Sequence, residues 1–504
     1  MEKLYRAIFF WIMVILFVII APLTVLSAWG YHFDFSKGVI VKSGTISIKT
    51  NPPTADIYIN GEIENSKKLN RINNTYNISG VIPKDYNLTV SAEGFQKWTK
   101  KAEVHSGVSS EFWNIVLVKN SYEQKKYITG EIDKMFISPT DKLLAYTQHT
   151  DAELNVKILN IKDEAIENTF NFPNWQFIED FKKENIEWSP SGEYLSVPLK
   201  KIPAPAKISS SKKIALPDEA QPNPYAYFIA DPSTNESFNL NEFLNKTNLK
   251  NVRWDPREKT YLFFLSENSL FRANIKDNTD IALIADNVSS YDLSETGVYY
   301  TQSPNELLFK SNFNGQGNKT QITYNFPAEN IVPIEKLIVY DDLRIAFINK
   351  NNELFIYNQA EFDTYFKKIG EDINGIQFSD DGKKLLFWTD NEISAYFLRQ
   401  WNTQPVRSEN EMQNITRYSE KISNIQWFKD YEHIIFSVGN YVKIIELDAR
   451  DHRNCMDILK TKTDAPILTY NNSLENLFFI DSTDDASKAL ASIIFPEQTS
   501  FFGL

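Results

Sequence analysis

One phrase recurs along most of this 504-residue chain, and it limits the fold more than any other feature. Residues 135–146, 186–197 and 376–388 each read strand, polar turn, strand, with Ser138-Pro139, Ser189-Pro190 and Ser379-Asp380 opening the turns. Looser copies lie at Val252-Arg253-Trp254-Asp255-Pro256, followed by Tyr261 to Leu265, and at Ile425-Gln426-Trp427-Phe428, followed by His433 to Ser437. Units without the full phrase run through 288–309, 331–357 and 467–480, which gives about eight units of roughly 40 to 65 residues. Each can supply about four strands. A lone four-stranded sheet with two apolar faces is not self-sufficient and must stack on neighbours, and closing the stack into a ring satisfies every unit. Asp and Gly in the turns tolerate the backbone angles of tight hairpins. The aromatic just before each turn (Phe136, Trp188, Trp254, Phe378 or Trp427) is expected between sheets, because recurrence at one register favours packing over a sugar-binding role.

The phrase resembles the turn of TolB-like and WD-type β-propellers, in which Ser-Pro-Asp-Gly-Lys recurs once per blade. The resemblance covers most of residues 121–497 and implies an architecture, not an activity. The expected fold class is therefore mainly β. A propeller of seven or eight blades, with eight preferred, occupies 120–504, and a strand from each end of that region completes one blade. The stretch 199–224, rich in Pro, Ala, Ser and Lys, is expected as a mobile insertion from the second blade.

Residues 44–119 have a different pattern. Ile46 and Ile48 alternate with polar residues, as do Ile57 and Ile59, and Asn60-Gly61 supplies a hairpin turn. Pro52-Pro53 blocks continuous pairing between the first two strands. The order Thr45 to Lys49, Asn51-Pro52-Pro53, Ala55 to Gly61 and Ser91-Ala92-Glu93-Gly94-Phe95 resembles a PEGA domain, with Ala92-Glu93-Gly94-Phe95 in place of the eponymous tetrapeptide. The resemblance implies a small extracytoplasmic β-sandwich that displays or docks other domains, and it brings no catalytic residue.

Ala7 to Tyr31 is a run of 25 residues without a formal charge. That is longer than a secretory apolar region of about 7 to 15 residues and sufficient to cross a bilayer core. Lys3 and Arg6 precede it and predict a cytoplasmic N-terminus, residues 1–6, with everything after the span outside. Cleavage near Val25-Leu26-Ser27-Ala28 is the alternative. The expected order is a span at 7–31, a linker at 32–43, the sandwich and the propeller.

The net charge is -12. Residues 42–119 carry a net of +3, whereas 120–504 hold 40 basic and 56 acidic residues, a net of -16. An acidic chain without a Lys/Arg run is not expected to bind nucleic acid. A mildly basic module near the bilayer could meet anionic lipid or wall polymer, with the acidic propeller beyond it held away from the membrane, but at +3 a solvated mixed surface is the favoured reading. The single cysteine, Cys455, excludes an intramolecular disulfide. The commonest hydrolase, nucleotide and zinc motifs are absent. The histidines 32, 105, 149, 433 and 452 share no ligand spacing, His452 near Asp448, Asp451 and Cys455 reads as a polar loop, and Asp481-Ser482-Thr483-Asp484-Asp485 reads as a solvated turn. No catalytic, cofactor or metal residue is assigned. The expected role is a bacterial, membrane-anchored envelope protein that binds or scaffolds a wall polymer, peptide or protein. A glycosidase or lyase using channel carboxylates is one alternative, and a subunit of a surface or secretion assembly is the other.

Overall fold

The repeated phrase folds as a hairpin whose serine organises the turn. The Ser189 amide donates to the Tyr194 carbonyl at 2.8 Å, the Gly192 amide donates to the Ser189 carbonyl at 2.8 Å, and the Tyr194 amide donates to Ser189 Oγ at 3.0 Å. Ser379 repeats this pattern with Lys384 and Gly382. Both serines are fully buried, so the hydroxyl satisfies backbone that water cannot reach. Gly382 has a φ of +62°, and a Cβ there would collide with the Tyr340 ring, so no other residue fits. Asp255 stands at the serine position in one looser copy; in the other Phe428 stands there, and Asp430, two residues on, accepts amides of the turn as Asp255 does.

A computed structural model describes residues 2–34, 38–64, 68–70, 75–149, 153–178, 186–202, 224–361, 363–484 and 487–496. Among these, eight antiparallel sheets follow one another from residue 125 onward. The first seven span 134–173, 175–239, 250–285, 288–321, 334–370, 375–417 and 422–460. The eighth combines Ile467–Asn471, Asn476–Ser482 and Lys488–Ile494 with the early strand Lys125–Gly130, which lies antiparallel on Lys488–Ile494. The segment around 286–325 forms a complete four-stranded sheet despite lacking the phrase.

A separate apolar cluster joins each neighbouring pair of sheets. Trp188 packs between the first and second, Trp254 between the second and third, and Trp427 between the sixth and seventh. Leu144, Tyr146, Phe478 and Leu490 join the eighth sheet back to the first. The stack is thus closed into a ring, a β-propeller. The recurrent aromatics occupy the expected places and add a polar tie. The indole N–H groups of Trp188, Trp254 and Trp427 donate to the carbonyls of Phe136, Glu187 and Gln377 on the preceding sheet, at 3.0, 3.0 and 3.1 Å.

The expected insertion begins too early at 199. Leu199 is fully buried between the first and second sheets, and its strand, Leu195–Lys201, closes on the Pro224 carbonyl through the Lys201 amide. An apolar residue at an inward register outweighs the Pro- and Lys-rich composition that follows it. Residues 203–223 of that stretch lie outside the described residues.

Residues 44–116 form two four-stranded sheets, with Gly44–Asn51 in one and Asp56–Ile59 in the other, so the chain changes sheets at Pro52-Pro53. Ile46, Ile48 and Ile57 are fully buried. Asn60 and Gly61 have φ of 52° and 88°, as the two-residue hairpin requires, and Ile59 pairs with Glu62. Ahead of the sandwich, the helix Glu2–Ala28 passes into a hairpin of Tyr31–Asp34 and Val39–Lys42. The Ser43 amide and hydroxyl both donate to the Gly30 carbonyl, at 2.7 and 2.8 Å, which ties the end of the helix to the start of the sandwich.

Candidate functional site

The sandwich strand Trp98–Glu103 alternates buried and exposed residues, and Lys100 lies on its buried side between Trp98 and Ala102. An ammonium in that register requires a partner, and the partner comes from the seventh propeller sheet. Lys100 Nζ lies 2.7 Å from Glu446 Oε1 and donates to the Asp448 carbonyl at 2.8 Å. Glu446 Oε2 accepts the Trp98 indole N–H at 2.9 Å, while Oε1 accepts the Asn454 amide at 2.7 Å. All three groups at the centre, Trp98, Lys100 and Glu446, are buried.

Around this centre the loop 448–454 covers the open edge of the sandwich strand. Asn454 bonds both the Thr99 carbonyl and the Thr99 amide, at 3.0 and 3.3 Å, and Asp451 accepts the Lys101 amide at 2.9 Å. Side chains thus replace the strand that an exposed edge would otherwise recruit. The Lys101 amide and His452 hold the Asp451 carboxyl below its usual range. Burial opposes ionisation of Asp448, but hydrogen bonds from Arg450 and the charge of Lys100 outweigh it and hold that carboxyl low as well. Arg450 stacks 4.2 Å from the Phe112 ring and donates to the Glu111 carbonyl at 2.7 Å. Gln404, from the long loop of the sixth sheet, accepts the Glu111 amide and donates to the Ser109 carbonyl.

The sandwich is therefore docked on the propeller. The buried cluster at the seventh and eighth sheets is continuous with the sandwich core.

These contacts gather at the end of the ring where the first strand of each sheet finishes. At the opposite end, where those strands begin, a cavity of about 410 Å³ opens across the third, fourth and fifth sheets. Lys250, Glu267, Asn268, Ser289, Lys336 and Lys350 are among the residues that line it. Deeper in, Arg253 bonds Glu187 at 3.0 Å and Asp292 at 2.8 Å, so two carboxylates from different sheets share one guanidinium. Burial pushes the Glu187 carboxyl up against the pull of Arg253.

The loop with His452, Asp448 and Asp451 is the docking loop, a role that the sequence reading did not give it. His452 Nδ1 lies 2.8 Å from Asp451. Cys455 is exposed, with its sulfur 3.8 Å from the Tyr418 hydroxyl. Asp481 caps a turn by accepting the amides of Lys462 and Thr463, and Asp484 pairs with Lys462. Of the other histidines, His149 contacts Asp133 and His433 contacts Asp430 at 2.8 Å, each within its own turn or sheet end. Sequence reasoning missed Trp98, Lys100 and Glu446. A lysine at an apolar register was the one signal that could have marked the surface.

Comparison with known families supports the sandwich directly. Residues 43–118 match the PEGA domain. No curated protein matches the chain. Among solved structures, the crystal structure of the eukaryotic initiation factor is similar at 12% identity and a TM-score of 0.43, covering 73% of this chain and 87% of that one. The Myceliophteria thermophila Cps50 (Swd1) β-propeller domain gives 9% and 0.37, covering 74% and 100%. Kluyveromyces lactis Hsv2 gives 9% and 0.39, covering 65% and 98%. The propeller assignment rests on the sheet order and the closed set of clusters described above. The helix Tyr5–Ala28, with mean hydropathy 2.9 and no buried residues, is long and apolar enough for a membrane anchor or a signal sequence.

Proposed function

We propose that this is a single-pass, membrane-anchored binding or scaffold protein of the bacterial envelope, in which the PEGA domain (44–119) fixes the orientation of an eight-bladed propeller (120–504). The observation that carries this reading is the one-sided docking. The buried Trp98, Lys100 and Glu446 contacts occupy one end of the ring, and the cavity opens at the other. An anchor joined to a sandwich that grips only one face leaves the opposite face free for a partner, a polymer, peptide or protein. Lys3 and Arg6 at the start of the helix favour a cytoplasmic N-terminus with both β-domains outside.

The test is accessibility in intact cells. A membrane-impermeant thiol reagent should label Cys455, which is exposed, and added protease should degrade the chain beyond residue 31. Protection from both reagents until the cells are lysed would refute the topology. A carbohydrate and envelope-polymer array probed with the detergent-solubilised chain would then separate polymer recognition from protein scaffolding.

A further inference from the structure

We infer that the cavity at the open end of the propeller binds an acidic sugar unit, its charge a carboxylate or a phosphate. This rests on the recognition role proposed above and names its ligand class. The first observation is shape. The first strands of the third, fourth and fifth sheets each break register at the cavity wall, between Lys250 and Arg253, between Val288 and Ser290, and between Ile334 and Lys336. A bulge re-aims side chains and bends its strand, and three bulges side by side form the concavity. The seventh sheet bulges at the corresponding place, between Ser423 and Gln426. There Asn424 fills the space by bonding Ser437 Oγ and the Pro466 carbonyl, so the bulge alone does not leave an opening.

The second observation is charge. In a propeller where acids outnumber bases, the wall carries Lys250, Lys336, Lys350 and Arg253 against Glu267 and Glu335. Arg253 is held by Glu187 and Asp292, but Lys250 and Lys350 are exposed and form no ion pair among the described residues. The third observation is what the wall lacks. Its one aromatic residue, Tyr291, is buried and its hydroxyl donates to the Asn251 carbonyl, so no ring is offered for stacking on a neutral sugar or a base. Recognition must then come from ammonium groups on an anion and from amides and carboxylates, such as Asn248, Asn268 and Glu267, on hydroxyls. A volume of about 410 Å³ suits one or two sugar rings.

The experiment titrates the full-length chain in detergent micelles with trigalacturonate, its neutral methyl ester and glucose 6-phosphate, by calorimetry at low salt. At least one of the two anions should bind, and whichever does identifies carboxylate or phosphate as the preferred charge. The methyl ester should bind at least about tenfold more weakly than trigalacturonate if carboxylate is preferred. Raised salt should weaken the interaction. The double variant Lys250→Glu/Lys350→Glu should abolish binding, and Lys142→Glu/Lys383→Glu, the same charge change in the turns at the other end of the ring, should leave it within about twofold. Single Lys250→Ala and Lys350→Ala variants, with unchanged circular dichroism, guard against misfolding and should each weaken binding. Absence of binding by both anions, equal binding of the ester in place of a charge preference, or binding unaffected by the double reversal would overturn the assignment. Each of these outcomes leaves the anchored recognition role to stand or fall on the accessibility measurement.

Discussion

Lys100 is the residue on which the union of sandwich and propeller most depends. Its side chain is fully buried, and its charge is compensated by Glu446, 346 positions later. Removing one member of a buried pair leaves the other uncompensated, so Lys100→Met should cost about 3–5 kcal/mol, read as a lowered unfolding midpoint. Combining it with Glu446→Gln, which removes the uncompensated carboxylate and keeps one carbonyl oxygen as an acceptor for either Trp98 or Asn454, should recover part of that loss. The inter-sheet tryptophans make a smaller and more local contribution. Trp188→Phe should cost about 1–3 kcal/mol in denaturant unfolding, because the Phe136 carbonyl loses its donor in a buried setting. The ring already tolerates a phenylalanine at the equivalent Phe378, so the fold itself should survive the change.

At the scale of the turn and the strand, the loop 428–433 carries a pH dependence of defined sign. His433 is buried, and although desolvation lowers its pKa, Asp430 outweighs that and raises it, while the Asp430 carboxyl is held low by His433 against its own desolvation. A raised histidine stabilises the fold fully below the unfolded value of about 6.5 and loses that contribution as pH rises through the folded value. A lowered aspartate contributes above about 3.9 and loses its effect as pH falls through its folded value. The stability advantage of the native chain over His433→Gln should therefore be largest between about pH 4 and 6.5 and shrink on alkaline titration, as thermal melts of both chains would record. Such turns were legible in the sequence because every interaction lies within a few residues, as Ser189 with Gly192 and Tyr194 demonstrates. The two-residue turn at Asn60-Gly61 and the change of sheet at Pro52-Pro53 were legible for the same reason. The docking of Thr99 and Lys101 against Asn454 and Asp451 was not, since periodicity reports which side of a strand is buried and never by what. The bulges that shape the cavity were equally hidden, because each depends on the register of two strands paired in space.

Across the whole molecule, the N-terminal helix, sandwich and propeller are joined by contacts and not only by linkers. The Gly30 carbonyl binds Ser43, and the loop 448–454 binds the sandwich edge. Both docking carboxylates, Asp448 and Asp451, have lowered pKa values, so their contribution is present above about pH 3.9 and fades as pH falls further. Amide exchange of the strand Trp98–Glu103 should thus accelerate relative to the sandwich core in strongly acidic buffer, and small-angle scattering should report separation of the two domains before either unfolds. The closure of the ring carries a different consequence. Lys125–Gly130 has no sheet to join until Lys488–Ile494 is made, and the sandwich has no seat until the seventh sheet exists. During synthesis the early part of the chain must wait, unlatched, for nearly the whole of the remainder. A premature stop before residue 420 would therefore remove the clasp and the seat together, and leave an open arc of sheets with bare edges, a natural substrate for quality-control proteases.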